Sequence, residues 1–364
     1  MAQVLVRSSA YSVVEKTIDG IFEAFGPDIR GKRVLIKPNS LNEREPESGA
    51  NTHPSVLSAV IKAARAAGAA DVMVGDNPGQ ANYGRSRSVF RQNGLGDAAG
   101  TALVSLSTGL VVRRVPAVGQ DLYFPRLLFE VDYLINLPKL KVHPGTGLTG
   151  AVKNTFGCLP GAQKAYCHVA ARDRRTFECA LADVYRLRPP DLNIMDGVLA
   201  SAGRAAGGPS LRYPGKLVAS RSAAAVDVLA ASMLGIWPEN LYHVAEIAHD
   251  EAIDLDVTNL DVSGEWSVAG DMGVPPGFRR GERRPNDGPN ASLFESASRK
   301  TLELDPALCD ACGECARQCP TRALLMDQGR PQVESGACVS CFACVEACRR
   351  NAIDLAPNPT SISC

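Results

Sequence analysis

Short apolar runs alternate with stretches of helical spacing along the first 268 residues. RVLIKP (33–38) is an apolar run stopped by proline. HPSVLSAVIKAARAAG (53–68) places apolar residues at helical intervals and ends on Gly68. DVMVGD (71–76) reads as a strand ending in an acid. A helix-like stretch follows at 86–98, and TALVSLS (101–107) reads as a further strand. VDYLINLP (131–138) and DLNIMDG (191–197) have the character of buried strands. AAAVDVLAASMLG (223–235) and YHVAEIAHDEA (242–252) read as helices, and LDVSGE (260–265) closes the series. This alternation predicts an α/β domain over 1–268, its mostly parallel sheet covered by helices. Residues 269–298 then turn rich in Pro, Gly and Arg and read as a linker. Its Arg279, Arg280, Arg283 and Arg284 either face solvent or dock an acidic electron donor. A small α+β domain is expected over 299–358.

Composition narrows the classes of function. The chain has 364 residues, 45% of them hydrophobic, enough for a sizeable core. Lys plus Arg number 39, and so do Asp plus Glu, so no overall charge draws it to nucleic acid or a membrane surface. MAQVLVRSSAYSVVEK lacks the basic-then-apolar order of a secretory signal, and no apolar run reaches the roughly 18 residues of a spanning helix. With this cysteine usage, the expected compartment is the cytoplasm, without a membrane partner.

In an open α/β sheet, ligands sit beyond the carboxyl ends of the strands. The predicted strand ends here carry Lys37 and Asn39, then Asp76 and Asn77, then PKLKVHPGTGLTGAVKNTFG, then Asp196. The third stretch is the densest, with Lys139, Lys141, His143, Lys153 and Asn154 set among glycines that permit close approach to a ligand. A solvated basic loop is the plainer alternative. However, lysines and a histidine among Leu, Val and Gly, without an acidic partner in the run, favour a site. Lysine suits a carboxylate or phosphate as a compact charge. The expected catalytic residues are Lys141, His143 and Lys153, with Tyr166 or His168 of QKAYCHV as further proton donors. The expected substrate contacts are Lys37, Asn39, His53, Asp76, Asn77, Lys139, Asn154 and Asp196.

CDACGECARQCP (309–320) places Cys309, Cys312, Cys315 and Cys319 in C-x2-C-x2-C-x3-C spacing, followed by Pro320. CVSCFACVEACR repeats the unit with Cys338, Cys341, Cys344 and Cys348, and Arg349 stands where a second proline would be. Zinc sites usually pair two C-x2-C units across a longer gap, and disulfide frameworks suit short secreted chains. The segment closely resembles the bacterial 2[4Fe-4S] ferredoxin domain. That resemblance implies two [4Fe-4S] clusters, with the fourth cysteine of each run serving the other cluster. Cluster 1 would take Cys309, Cys312, Cys315 and Cys348. Cluster 2 would take Cys338, Cys341, Cys344 and Cys319. Of the remaining Cys158, Cys167, Cys179 and Cys364, none forms a C-x2-C pair; they read as small buried apolar residues or a free tail, with substrate contact the alternative for Cys158 or Cys167, which lie in the dense motif region.

IKPNSLN, THPSVLSAVIKAARAAGAADVMVGDNPG, INLPKLKVHPGTGLTGAVKNTFGCLPG and LNIMDGV resemble the bacterial family named domain of unknown function 362, whose members often carry a C-terminal ferredoxin domain. The resemblance implies an iron–sulfur, redox-type protein and supplies no substrate. GTGLTG lacks the strand context and ribose-binding acid of a dinucleotide site, and PGTGLTGAVKN lacks the Gly-Lys-Ser/Thr of a phosphate loop. A flavin stays open, since such sites are poorly readable from sequence. The leading expectation is an enzyme. An external low-potential donor (a ferredoxin, flavodoxin or reductase) would feed single electrons through the clusters to an anionic small molecule, reducing a conjugated C=C bond or ring. The alternatives are an electron carrier or metalloenzyme assembly factor, and an α/β enzyme with structural clusters.

Overall fold

The computed structural model describes residues 2–79, 82–205, 208–283 and 300–357. The first domain is built on strands β1 (Gln3–Ser8), β2 (Arg33–Pro38), β3 (Asp71–Val74), the hairpin β4 (Leu110–Val115) and β5 (Gln120–Pro125), β6 (Tyr133–Leu137), β7 (Lys139–His143), β8 (Gly147–Leu148), β9 (Leu192–Ala205), β10 (Gly208–Arg212), β11 (Lys216–Ser220) and β12 (Asp261–Ser263). The central sheet runs β12-β1-β11-β9-β6-β2-β3, with β7 and β10 also paired to β9. Strands β3, β2, β6 and β9 are mutually parallel, and β7 is parallel to β9. β11 pairs antiparallel with both β9 and β1, so it runs against the other strands of this path. The sheet is therefore mixed and mostly parallel.

Alternate residues of each strand feed opposite faces, as the two-residue period requires. Ile194, Leu217 and Ala219 pack beneath α1 (Val14–Phe25) and α2 (Pro54–Ala66). Met195 and Val218 pack on the other side, against the nearly all-apolar helix α9 (Ala223–Leu234). The remaining helices of this domain are α3 (Ser86–Gln92), α4 (Leu95–Ala99), α5 (Leu127–Glu130), α6 (Ala151–Asn154), α7 (Gln163–Ala170), α8 (Arg174–Leu187) and α10 (Tyr242–Asp250).

Three expectations change. The helix read over 86–98 breaks into α3 and α4 at Gly94, whose positive φ of 76° suits glycine. TALVSLS is not a strand: residues 100–102 form a tight turn, and Leu103 makes one isolated bridge to Val74. Within the stretch read as a linker, Met272, Val274 and Phe278 are buried in the α9–α10 core, and Phe278 O accepts from Trp237 N. Of the arginines there, Arg280 stacks on Trp237 and Arg279 lies 3.8 Å from Glu282; Arg284 lies outside the described residues.

The second domain pairs β13 (Lys300–Leu304) with β16 (Ile353–Pro357) and β14 (Leu324–Asp327) with β15 (Arg330–Val333), with one-turn helices at 314–317 and 343–347. It is docked against the first. Phe342 and Leu355 share an apolar cluster with Tyr83, Ala162 and Ala165. Ser86 N donates to Glu346 Oε1 at 2.7 Å, Ala162 N to Ser340 O at 3.0 Å, and Gln163 Nε2 to Val339 O at 2.9 Å. At Gly161, φ is +51° and a Cβ would stand 2.5 Å from Cys341 O, so the contact admits glycine alone.

Candidate functional site

β2, β3 and β7 point their carboxyl ends toward one cavity of about 250 Å³, closed on its far side by α6 and α7. Asn39, Asp76, Asn77, Lys141, His143, Lys153, Asn154 and His168 line it, all of them residues singled out from the sequence. Lys37, fully buried, lies beneath: its ammonium is 2.6 Å from Asp76 Oδ1, while Asp76 Oδ2 accepts from Ser40 N at 2.7 Å. A Cβ on Gly157 would fall 2.2 Å from Asp76 Oδ1 and 2.6 Å from Lys37 Nζ. The ion pair thus forms only because residue 157 has no side chain.

Amides lock the floor. Lys141 Nζ donates to Asn39 Oδ1 at 2.7 Å and to Ala50 O at 2.6 Å. Asn39 Nδ2 donates to Asn154 Oδ1, Asn154 Nδ2 to Asn136 Oδ1, and Asn136 Nδ2 to Asn193 Oδ1, at 2.9, 2.8 and 2.8 Å. A buried network satisfied in this way holds its members in one geometry. Asn77 is fixed by Ser107 Oγ at 2.6 Å and by its own donation to Cys158 O at 3.2 Å.

Burial disfavours charge on every basic group here. It lowers Lys141 to about 7, with Lys153 the largest neighbouring charge acting in the same sense. Lys153 falls to about 8 and Lys164 to about 7, each chiefly through burial. His143 is pushed well below the usual imidazole value and His168 to about 3, so both are neutral at pH 7. His143 Nδ1 accepts from Gly145 N and Thr146 N, both at 3.1 Å, which leaves the ring proton on Nε2. His143 therefore offers a hydrogen bond and is a poor acid; the near-neutral lysines are the better proton donors. His168 stacks on Phe177 at 3.8 Å, fixing its plane.

Some expected members lie elsewhere. Lys139 Nζ donates to Asp196 Oδ2 at 2.7 Å and to Tyr11 Oη at 2.9 Å. His53 stacks on Tyr11 at 3.6 Å, and its backbone N–H donates to Asp196. This self-contained network does not line the cavity, because β7 slips its register against β9 between Lys139 and Lys141. Tyr166 is 49% exposed on the outer face of α7 and is also outside. Cys158 and Cys167 are buried among apolar side chains, and burial pushes their thiols up to about 11 and about 12. Cys364 lies outside the described residues.

Lys164, Thr149 and Tyr83 line the cavity but were not singled out from the sequence. Lys164 Nζ donates to the carbonyls of Asn77 and Pro78 at 2.6 and 2.8 Å, tying α7 to the turn after β3. Its signal was a single lysine among apolar residues in PGAQKAYCHV, the same signal that marked the earlier stretch.

In the second domain, Cys309, Cys312, Cys315 and Cys348 line one cavity of about 380 Å³. Cys319, Cys338, Cys341 and Cys344 line a tighter one of about 20 Å³. Among the described residues no three His, Cys, Asp or Glu side chains close around a single metal ion. An all-thiol quartet spread around a space suits a multi-iron cluster better than one zinc ion, whose ligands must converge to about 2.3 Å. Both quartets touch the first domain, the first where Arg87 Nη1 donates to Cys348 O at 3.3 Å and the second where Cys341 O stands against Gly161. Ala162 follows, and about 3 Å of helical rise separates it from Lys164 in the cavity wall.

Residues 34–232 match the family model described as domain of unknown function (DUF362), and residues 301–349 match that of the 4Fe-4S dicluster domain. The chain is 32% identical over 237 residues to a thylakoid-associated protein of Synechocystis sp., covering 64% of this chain and 71% of that protein. It is 34% identical over 53 residues to ferredoxin-1 of Rhodobacter capsulatus, covering 13% of this chain and 82% of the ferredoxin. Among solved structures it is similar to the lactate racemase apoprotein of Thermoanaerobacterium thermosaccharolyticum, at 12% identity and a TM-score of 0.40, over 65% of this chain but only 57% of that one. Among the described residues no helix is long and apolar enough to cross a membrane. The chain belongs to the DUF362 family and carries, after its α/β domain, an iron–sulfur domain of the bacterial ferredoxin kind.

Proposed function

We propose that this protein is an iron–sulfur oxidoreductase whose substrate is a small organic anion held in the lysine-lined cavity. Two bound [4Fe-4S] clusters would supply single electrons, drawn from an external low-potential ferredoxin, flavodoxin or reductase. The observation that carries the reading is the segment 160–164. One end packs against Cys341 of the inner cysteine quartet, and the other delivers Lys164 to the cavity.

The protein's own groups have distinct tasks. Lys141, Lys153 and Lys164 hold the anionic group and oppose charge as it develops on the substrate. His143 offers its Nε2–H to a substrate oxygen. Lys141 and Lys164, near neutrality, deliver a proton to carbon or oxygen. Lys37 and Asp76 keep the floor rigid. Reduction of a C=C bond conjugated to a carboxylate fits these roles, because its charge builds on the oxyanion end. The test is direct. Protein reduced anaerobically is mixed with unsaturated carboxylates, and absorbance recovery and product are followed. A matched substrate restores the oxidised spectrum and yields its dihydro product. Failure of every conjugated anion to take electrons would favour a carrier or assembly factor.

A further inference from the structure

Each ammonium has three N–H donors. Lys141 and Lys164 each spend two on fixed carbonyl or amide oxygens, and Lys37 spends its own on Asp76 and Pro38 O. Among the described residues Lys153 Nζ donates no hydrogen bond, and Glu178 is the opposite charge that acts on it. Thr149, 4% exposed, lines the same cavity with a hydroxyl that has no partner. A buried hydroxyl left unpaired is costly, and the half-buried Lys153 ammonium beside it has free donors, so a ligand oxygen is their expected complement.

Charge extends the argument. Among the described residues Asp76 is the one carboxylate lining the cavity, and Lys37 already matches it. Lys153 feels the opposite charge of Glu178, which does not line the cavity, while Lys141 and Lys164 have no carboxylate partner of their own in the lining, so a ligand with a single negative charge would leave positive charge unmatched there. The lysines are also held by different elements. Thr149, Lys153 and Lys141 group at the end formed by β7, β8 and α6, where Thr149 N donates to Lys141 O. Lys164, on α7, is pinned instead to the turn after β3 by the carbonyls of Asn77 and Pro78.

We propose that the cavity takes a molecule with two separate oxyanion groups, one seated on Thr149 and Lys153 and the other on Lys164. The class comprises dicarboxylates and phosphorylated carboxylates. This rests on reading the cavity as the substrate site, but not on which bond is reduced.

The test is calorimetric titration of the full, cluster-loaded chain with acetate, succinate and phosphoglycolate. Succinate should bind at least about tenfold more tightly than acetate, a gap of about 1.4 kcal/mol. Thr149→Val, Lys153→Gln and Lys164→Gln should each erase that gap, whereas Thr149→Ser should keep it. Tighter phosphoglycolate than succinate would assign one seat to phosphate; the reverse order would assign both to carboxylates. Equal affinity for acetate and succinate in the wild type would overturn the proposal, as would a gap that survives Thr149→Val and Lys153→Gln. The two readings fail separately. A monoanionic unsaturated acid that takes electrons, with acetate and succinate bound alike, removes the two-seat ligand and leaves the reductase. Succinate binding as described, with no anion accepting electrons, does the opposite.

Discussion

Lys141, Lys153 and Lys164 couple the site to pH in two ways. In the unfolded chain a lysine titrates near about 10.4, whereas burial holds these at about 7, about 8 and about 7 in the fold. Between those limits the unfolded state binds more protons, so the unliganded protein should gain stability as pH rises from about 7 to about 10. Denaturant unfolding at pH 7 and pH 9 checks the sign, and Lys164→Met should flatten the slope. Anion affinity should run the other way, because the ligand needs charged lysines. Titration from pH 7 to pH 9 should show a loss approaching tenfold per pH unit for each lysine that must be recharged. Removing one partner of the Lys37–Asp76 pair should be severe: Asp76→Ala strands a fully buried ammonium, at about 3–5 kcal/mol of unfolding free energy. Most of these residues were legible in the sequence, since a lysine between apolar neighbours is conspicuous. Their partners were not. Lys139 looks like Lys141 in the sequence, yet Asp196, 57 positions away, claims it.

Helix α6 is too short to hold itself together, yet it carries Lys153 and Asn154. Asp227, on α9, supplies what it lacks: its carboxylate accepts from Ala151 N at 2.5 Å and from Val152 N at 2.9 Å. Gly150 leaves room for it, since a Cβ there would meet Asp227 at 2.1 Å. Asp227→Ala leaves two buried N–H groups unpaired and should cost about 1–3 kcal/mol. It should also weaken anion binding, although Asp227 does not line the cavity; calorimetry on the folded variant separates the two effects. At this scale the sequence was readable where one period dominates, as in β2, α2, β6 and α9. It misled where several local signals compete. In TALVSLS, β-branched and apolar residues suggest a strand, but the chain passes the sheet with a single bridge to Val74. The seating of β1 beside β11 depends on a pairing more than 200 residues apart, which no local pattern encodes.

The domain contact at Gly161 and Phe342 lies beside the inner cysteine quartet, the outer quartet touches the first domain at Cys348 O, and each quartet keeps one exposed cysteine, Cys338 and Cys312. Iron and sulfide analysis should give about eight of each per chain. Gly161→Val, which drives a side chain into Cys341 O, should loosen the docking while leaving that iron content nearly unchanged. Limited proteolysis between the domains would then speed up. The cysteine spacing made the second domain legible as a unit. Its resting place was not, because the contact is made by scattered residues such as Tyr83, Ala162 and Phe342. The central claim is that electrons leave the inner quartet into the lysine-lined cavity. The measurement that bears on it most directly is the rate at which a substrate anion reoxidises the reduced protein, compared among wild type, Lys141→Ala and His143→Ala. Neither residue is a cysteine ligand, so both variants should hold wild-type iron and yet reoxidise at least about tenfold more slowly, with product falling in step. Full iron content with wild-type reoxidation and product in both variants would place the chemistry outside this cavity and contradict the account.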